Sequence, residues 1–135
     1  MKGLACLALA FLIFPAGAQE LIANKGTGIE RLTRNEARLY LTMRIRQWPD
    51  GTEVKLFVLP DDDDLHQRFV NAVLGLYPYQ LRRVWDRQIF TGTGQAPINV
   101  SSVDEMVRRV ASTPGALGYI ESASSSPEVR IIEVH

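Results

Sequence analysis

Asp61-Asp62-Asp63-Asp64-Leu65-His66 is the densest run of one charge in the chain and the first place to look for chemistry. Carboxylates packed this closely have three uses. They can cap a helix and offset its positive end. They can hold a cationic ligand or a divalent metal. They can face a basic partner surface. Four consecutive carboxylates do not converge on one ion without a special turn, and the spacing is not that of an EF-hand loop. Capping by one or two aspartates, with the others solvated, is the expected arrangement. An incoming anion would be opposed by ~1 kcal/mol per carboxylate at ~4 Å in water, and by several times that in a partly buried cleft. His66 follows directly and reads as an exposed first-turn histidine whose pKa the aspartates would raise. Catalysis by it would need a nucleophile or a metal, and the second histidine is terminal, His135.

The other candidates are loops. Thr91-Gly92-Thr93-Gly94-Gln95 offers backbone N–H groups and the hydroxyls of Thr91 and Thr93 to an anion. No Lys-Ser/Thr pair follows, so it is not a phosphate loop. Asn24 to Gly28 places Lys25 and Thr27 in a similar but shorter segment. Both segments also read as ordinary turns. The serines at 122 and 124–126 have no base near them in sequence. No nucleophile, base and orienting group come together, so neither enzymatic activity nor a catalytic residue, metal site or cofactor is expected.

Local patterns predict the elements that would position these residues. Glu20–Ala23 reads as a short strand. Thr33-Arg34-Asn35-Glu36 has the form of a capping box, and a helix should run from it to about Met43 with Ala37, Tyr40 and Leu41 buried. Trp48-Pro49-Asp50-Gly51 is a turn. Glu53–Leu59 is the strongest strand candidate. The aspartates then lead into a helix ending near Leu74, with Leu65, Phe69 and Val73 on one face and Gly75 as its stop. A helix from Pro78 should bury Leu81, Val84, Trp85 and Ile89. Pro97–Val100 is a short strand, Ser102 starts a capped helix with Met106, Val107 and Val110 inside, and Leu117–Ile120 and Val129–Val134 complete the strands. Trp48 and Trp85 are expected in the core. Arg82, Arg83, Arg87, Arg108 and Arg109 are expected on solvated faces or a partner interface. This alternation argues for one α/β sandwich around a small sheet.

Residues 1–18 have the form of a signal peptide. Lys2 is followed by an apolar run to Phe14, and Ala16-Gly17-Ala18 suits cleavage before Gln19. Cys6, the single cysteine, lies inside this segment. The mature chain, residues 19–135, would then be a cysteine-free exported domain of roughly 117 residues, enough for one core. Removing Lys2 from the 15 basic residues leaves a nearly neutral chain against 15 acidic ones. With no basic stripe, nucleic acid is not an expected partner.

Two stretches carry a resemblance. "TRNEARLYLTMRIRQWPDG" (33–51) and "VDEMVRRVASTPGALGYIE" (103–121) resemble segments of the periplasmic phosphate-binding proteins, the receptors of ABC importers. The order of helix, Trp turn, strand, helices and TPGALGY also matches, over about 32–121. The resemblance implies a single lobe of the type 2 periplasmic-binding-protein fold, a small mixed sheet flanked by about four helices. It places the ligand-binding helix start at Asp62, Asp63, Asp64 and Leu65. There the chain departs from the family, because Asp63-Asp64-Leu65 replaces Ser-Gly-Thr and Leu59 stands where an Arg is expected. Met43 likewise stands where a Gly often ends the first helix. The expectation is a non-enzymatic, periplasmic binding or interaction module with its anion site lost, alternatively a receptor for phosphate or another small anion. Its partner would be a protein: a membrane sensor, a transporter component or a second copy of the chain.

Overall fold

The computed structural model describes residues 19–92, 95–124 and 126–135, together with Gly3. The expected signal peptide, Cys6, Thr93 and Gly94 lie outside the described residues. Six strands form one mixed sheet: β1 (Gln19–Ala23), β2 (Arg31–Leu32), β3 (Lys55–Val58), β4 (Ile98–Asn99), β5 (Ala116–Glu121) and β6 (Arg130–Val134). Their order is β2-β6-β1-β5-β3-β4. β1 is antiparallel to both β5 and β6, whereas β3 runs parallel to β5 and to β4. The helices are α1 (Arg34–Leu41), α2 (Asp64–Phe69), α3 (Pro78–Phe90) and α4 (Val103–Ser112). The two-residue strand β2 escaped the sequence reading because two residues show no period.

The helix starts follow their local chemistry. Thr33 Oγ1 accepts from the Glu36 N–H at 3.0 Å while the Glu36 carboxylate accepts from the Thr33 N–H at 2.9 Å, the complete capping box. These bonds hold the Glu36 carboxyl below its ordinary pKa. Ser102 caps α4 through Glu105 N–H, but the Glu105 carboxylate turns to Ser101 instead of completing a box. Gly51 and Gly75 end their turns at φ 89° and 66°, the left-handed region that glycine tolerates.

α4 covers one face of the sheet. Met106, Val107 and Val110 are buried, and Gly118 of β5 leaves room for them: a Cβ there would lie 2.6 Å from Met106 Sδ. The other three helices lie over the opposite face, where Tyr119 stacks on Phe69 with ring centroids 4.1 Å apart. Trp48 and Trp85 are both in the core. Trp48 donates from Nε1 to the Gly115 carbonyl at 2.9 Å, and Trp85 to the Leu41 carbonyl at 2.8 Å.

Two expectations about buried faces change. After Phe69 the α2 backbone widens into a π turn, Val70–Leu74. The wider turn moves the inward position on by one residue, so Leu74 is fully buried and Val73 only partly. On α3, Leu81 and Trp85 are buried, but Val84 is only half buried and Ile89 is 37% exposed.

Met43 follows α1 at φ 62°, the described non-glycine residue with positive φ. An L side chain there costs ~1–2 kcal/mol, offset by burying the thioether in the core. Met43→Ala and Met43→Gly both lose that packing, but only glycine relieves the backbone. The Gly variant is therefore expected to be the more stable of the two by ~1 kcal/mol in urea unfolding. The ordinary order, alanine above glycine, would refute strain at this position.

Candidate functional site

The acidic run lies at the C-terminal end of β3, where chain leaves the sheet and enters α2. Each carboxylate has its own situation. Asp63 is the N-cap: its Oδ1 accepts the His66 N–H at 3.1 Å, and its carbonyl accepts the Gln67 N–H at 3.0 Å. Asp61 takes a two-point bond from Arg82, at 2.9 Å from Nη2 and 3.1 Å from Nε. The Arg82 guanidinium in turn lies 5.2 Å from the Trp85 ring centroid. Hydrogen bonding from Arg82 holds the Asp61 carboxyl below its ordinary pKa. Asp64 sits in the first turn with Arg68 3.1 Å away, and Arg68 also pairs with Glu121 of β5. Asp62 is exposed. Leu65 is buried in the core, so only its backbone faces the junction.

His66 departs most from expectation. It is fully buried, not an exposed first-turn residue. α2 begins as a tight turn over the sheet, which points the imidazole inward between Trp85 and Tyr119. Its pKa is lowered, not raised: desolvation outweighs the attraction of Asp61 and Asp63. Nδ1 shares a short hydrogen bond with the Tyr119 hydroxyl, which also accepts the Leu59 N–H at 2.9 Å. Burial raises the Tyr119 pKa, so the phenol keeps its proton. The assignment that satisfies these atoms has Tyr119 accepting from Leu59 and donating to Nδ1, which places the imidazole proton on Nε2. Nε2 lies 3.8 Å from Asp61 Oδ1 and has no hydrogen-bond partner.

Beside the junction runs a groove of about 920 Å³, with Asp61, Asp62 and Asp64 along it and the exposed rings of Tyr77 and Tyr79 at its side. Those two rings stack at 5.9 Å, and Arg83 lies over Tyr79. Among the described residues, no three His, Cys, Asp or Glu side chains are grouped to hold a metal ion.

The loop candidates are elsewhere. Lys25 and Thr27 lie in a 3₁₀ turn after β1. Asn24 ties this turn to the last turn of α4 through bonds to the carbonyls of Val110 and Ala111. Thr91 ends α3, its hydroxyl bonded to the Arg87 carbonyl at 3.0 Å. Both segments are at the end of the sheet where β3 and β5 begin, opposite the aspartates. The structure therefore does not bring Lys25, Thr27 or Thr91 to the acidic junction. Sequence reasoning missed Arg82 and Tyr119 as junction residues. Arg82 reads in sequence as one of the arginines on solvated faces or a partner interface, and nothing in local spacing points to a tyrosine 53 residues from His66.

No protein-family model matches the sequence, and no curated protein is significantly similar to it. Solved structures share the fold. An ABC-type phosphate transport receptor from Vibrio cholerae superimposes with a TM-score of 0.70 at 14% identity, over 87% of this chain and 46% of that one. A putative phosphate ABC transporter substrate-binding protein with bound phosphate, from Clostridium perfringens, gives 0.70 at 18% identity over 87% and 45%. PstS from Borrelia burgdorferi gives 0.68 at 18% over 88% and 47%. This chain spans less than half the length of each. The α/β architecture expected from the resemblance, part of a periplasmic-binding-protein fold, is the one observed.

Proposed function

We propose that this chain, which shares its fold with phosphate-transport receptors, is a non-enzymatic, exported binding or interaction module that does not capture phosphate at the β3–α2 junction. The observation that carries the reading is that the junction is already occupied by its own side chains. A helix start attracts anions through free N–H groups and the positive end of the dipole. Here the Asp63 carboxylate takes the His66 N–H, and Tyr119 takes the Leu59 N–H. Arg82 and Arg68, the cations nearest the junction, are bound to Asp61, Asp64 and Glu121. Each fixed carboxylate within ~4 Å would oppose a bound oxyanion by ~4 kcal/mol at the effective dielectric of a protein surface.

Export rests on the signal-peptide form of residues 1–18. Among the described residues, no helix is long and apolar enough to cross a membrane. A protein partner is favoured by the aromatic side of α3, where Tyr77 and Tyr79 are more than half exposed and Phe90 is 92% exposed. The partner is a membrane sensor, a transporter component or a second copy of the chain.

The test is thermal unfolding of the mature domain in phosphate, sulfate and matched chloride. A receptor with a Kd of ~10 μM would gain ~2.7 kcal/mol in ~1 mM ligand, a shift of several degrees. The expected result is no shift beyond that of chloride. A phosphate-specific rise would favour the alternative, a small-anion receptor.

A further inference from the structure

Half of the described cations have a partner within the chain. Arg31, Arg68, Arg82, Arg109 and Arg130 pair with carboxylates. Arg34 and Arg38 donate to the carbonyls of Ala72 and Leu74. Among the described residues, Arg44, Arg46 and Lys55 have no such partner, and all three line one cavity of about 780 Å³. Lys25, Arg87 and Arg108 likewise have no such partner, and Arg83 has only the Tyr79 ring, but none of these four lines the cavity.

This cavity is away from the acidic junction, at the end of the sheet where β3 begins. It lies between the segment joining α1 to β3 and the segment joining α3 to β4. At the left-handed turn of Met43 the chain leaves α1, with the Arg44 and Ile45 N–H groups bonded back to the Leu39 carbonyl; Arg44 and Arg46 are exposed and Ile45 is half buried. The bridge between Gln47 and Glu53 then returns the chain to β3 and Lys55. Tyr40, Met43 and Leu56 are each under 8% exposed and form an apolar floor, joined by the partly buried Ile98. The Glu53 carboxylate is also in the lining. Apolar surface below and unneutralised cations at the rim suit one ligand class, and the volume is within the ~300–1,000 Å³ usual for small-molecule sites.

We propose that this cavity binds an organic anion. Its acid group is held by Arg44, Arg46 and Lys55, and its apolar body lies on Tyr40, Met43, Leu56 and Ile98. An inorganic oxyanion brings no body to bury, so the site is consistent with the expected indifference to phosphate.

The probes are anilinonaphthalene sulfonate and its uncharged analogue phenylnaphthylamine, titrated by fluorescence into the mature domain. The sulfonate is expected to bind saturably with a micromolar Kd, at least about tenfold tighter than the analogue. Changing Arg44, Arg46 and Lys55 together to Gln should weaken it at least about tenfold with little change in Tm, because all three are exposed. Glu53→Gln should tighten it, and this variant keeps the test valid should the triple variant not fold. Equal binding of both probes, an unchanged Kd in the triple variant, weaker binding by Glu53→Gln, or no saturation would overturn the proposal. Inorganic phosphate separates the two readings. A Tm rise that survives in the triple variant would count against the junction reading alone. A rise that the triple variant loses would count against the need for an apolar body here.

Discussion

Gly115→Ala is expected to destabilise the domain by at least ~4 kcal/mol, a large part of the ~5–15 kcal/mol that holds a typical domain together. Gly115 has φ +78°, and a Cβ there would lie 2.1 Å from the Glu53 carbonyl oxygen and 3.1 Å from Thr52 Cγ2. The nearest obstacle is backbone, so no rotamer change relieves it. The peptide cannot rotate away either, because the Gly115 carbonyl accepts both Trp48 Nε1–H at 2.9 Å and the Lys55 N–H at 3.1 Å. The Trp turn, the start of β3 and the start of β5 meet on this one carbonyl. Gly118→Ala is the control. Its Cβ would meet Met106 Sδ at 2.6 Å, the end of a flexible side chain, and Val110 Cγ2 at 3.1 Å. That overpacking should cost only ~1–2 kcal/mol. Equilibrium unfolding in urea measures both. Equal losses would show that the Glu53 carbonyl is not a rigid obstacle.

Tyr119→Phe is expected to cost ~2–4 kcal/mol while keeping the ring stacked on Phe69, because it strands two buried groups, the Leu59 N–H and His66 Nδ1. A loss below ~1 kcal/mol would mean that water or a rotated imidazole replaces the hydroxyl. The same pair predicts a pH dependence. Burial depresses the His66 pKa in the native state, so the unfolded chain binds a proton that the folded chain resists. Stability should therefore be full above the unfolded histidine pKa of ~6.5 and fall as pH drops below it toward the depressed native value. Tm measured from ~pH 7.5 to ~pH 5.5 should decline in the wild type, and that decline should be smaller in His66→Gln. Equal slopes would place the titration elsewhere.

The helix starts at Thr33 and Ser102, a capped start within the acidic run, the turn at Gly51, the stop at Gly75 and most strand positions were legible in the sequence. Caps and turns act over three or four residues, so local chemistry is enough to set them. The capping role of the aspartates was legible for the same reason, as were Trp48 and Trp85 in the core. The TPGALGY stretch was visible as a resemblance, but its physical basis was not. Gly115 needs space beside Glu53, Gly118 beside Met106, and Tyr119 reaches across to Leu59 and His66. Those partners lie 12 to 62 residues away.

Tertiary structure alone decided what the acidic run became. Whether His66 faces water or the core depends on how α2 is set over the sheet, and that angle comes from packing Phe69 on Tyr119. Whether Asp61 is free depends on α3 bringing Arg82 back 21 residues later. Arg44, Arg46 and Lys55 came to line one cavity only because two separate connections close over the start of β3. Charge and hydrophobicity are written along the chain residue by residue. Desolvation and pairing exist only between segments, so the same four aspartates could not be told apart until the sheet had assembled around them.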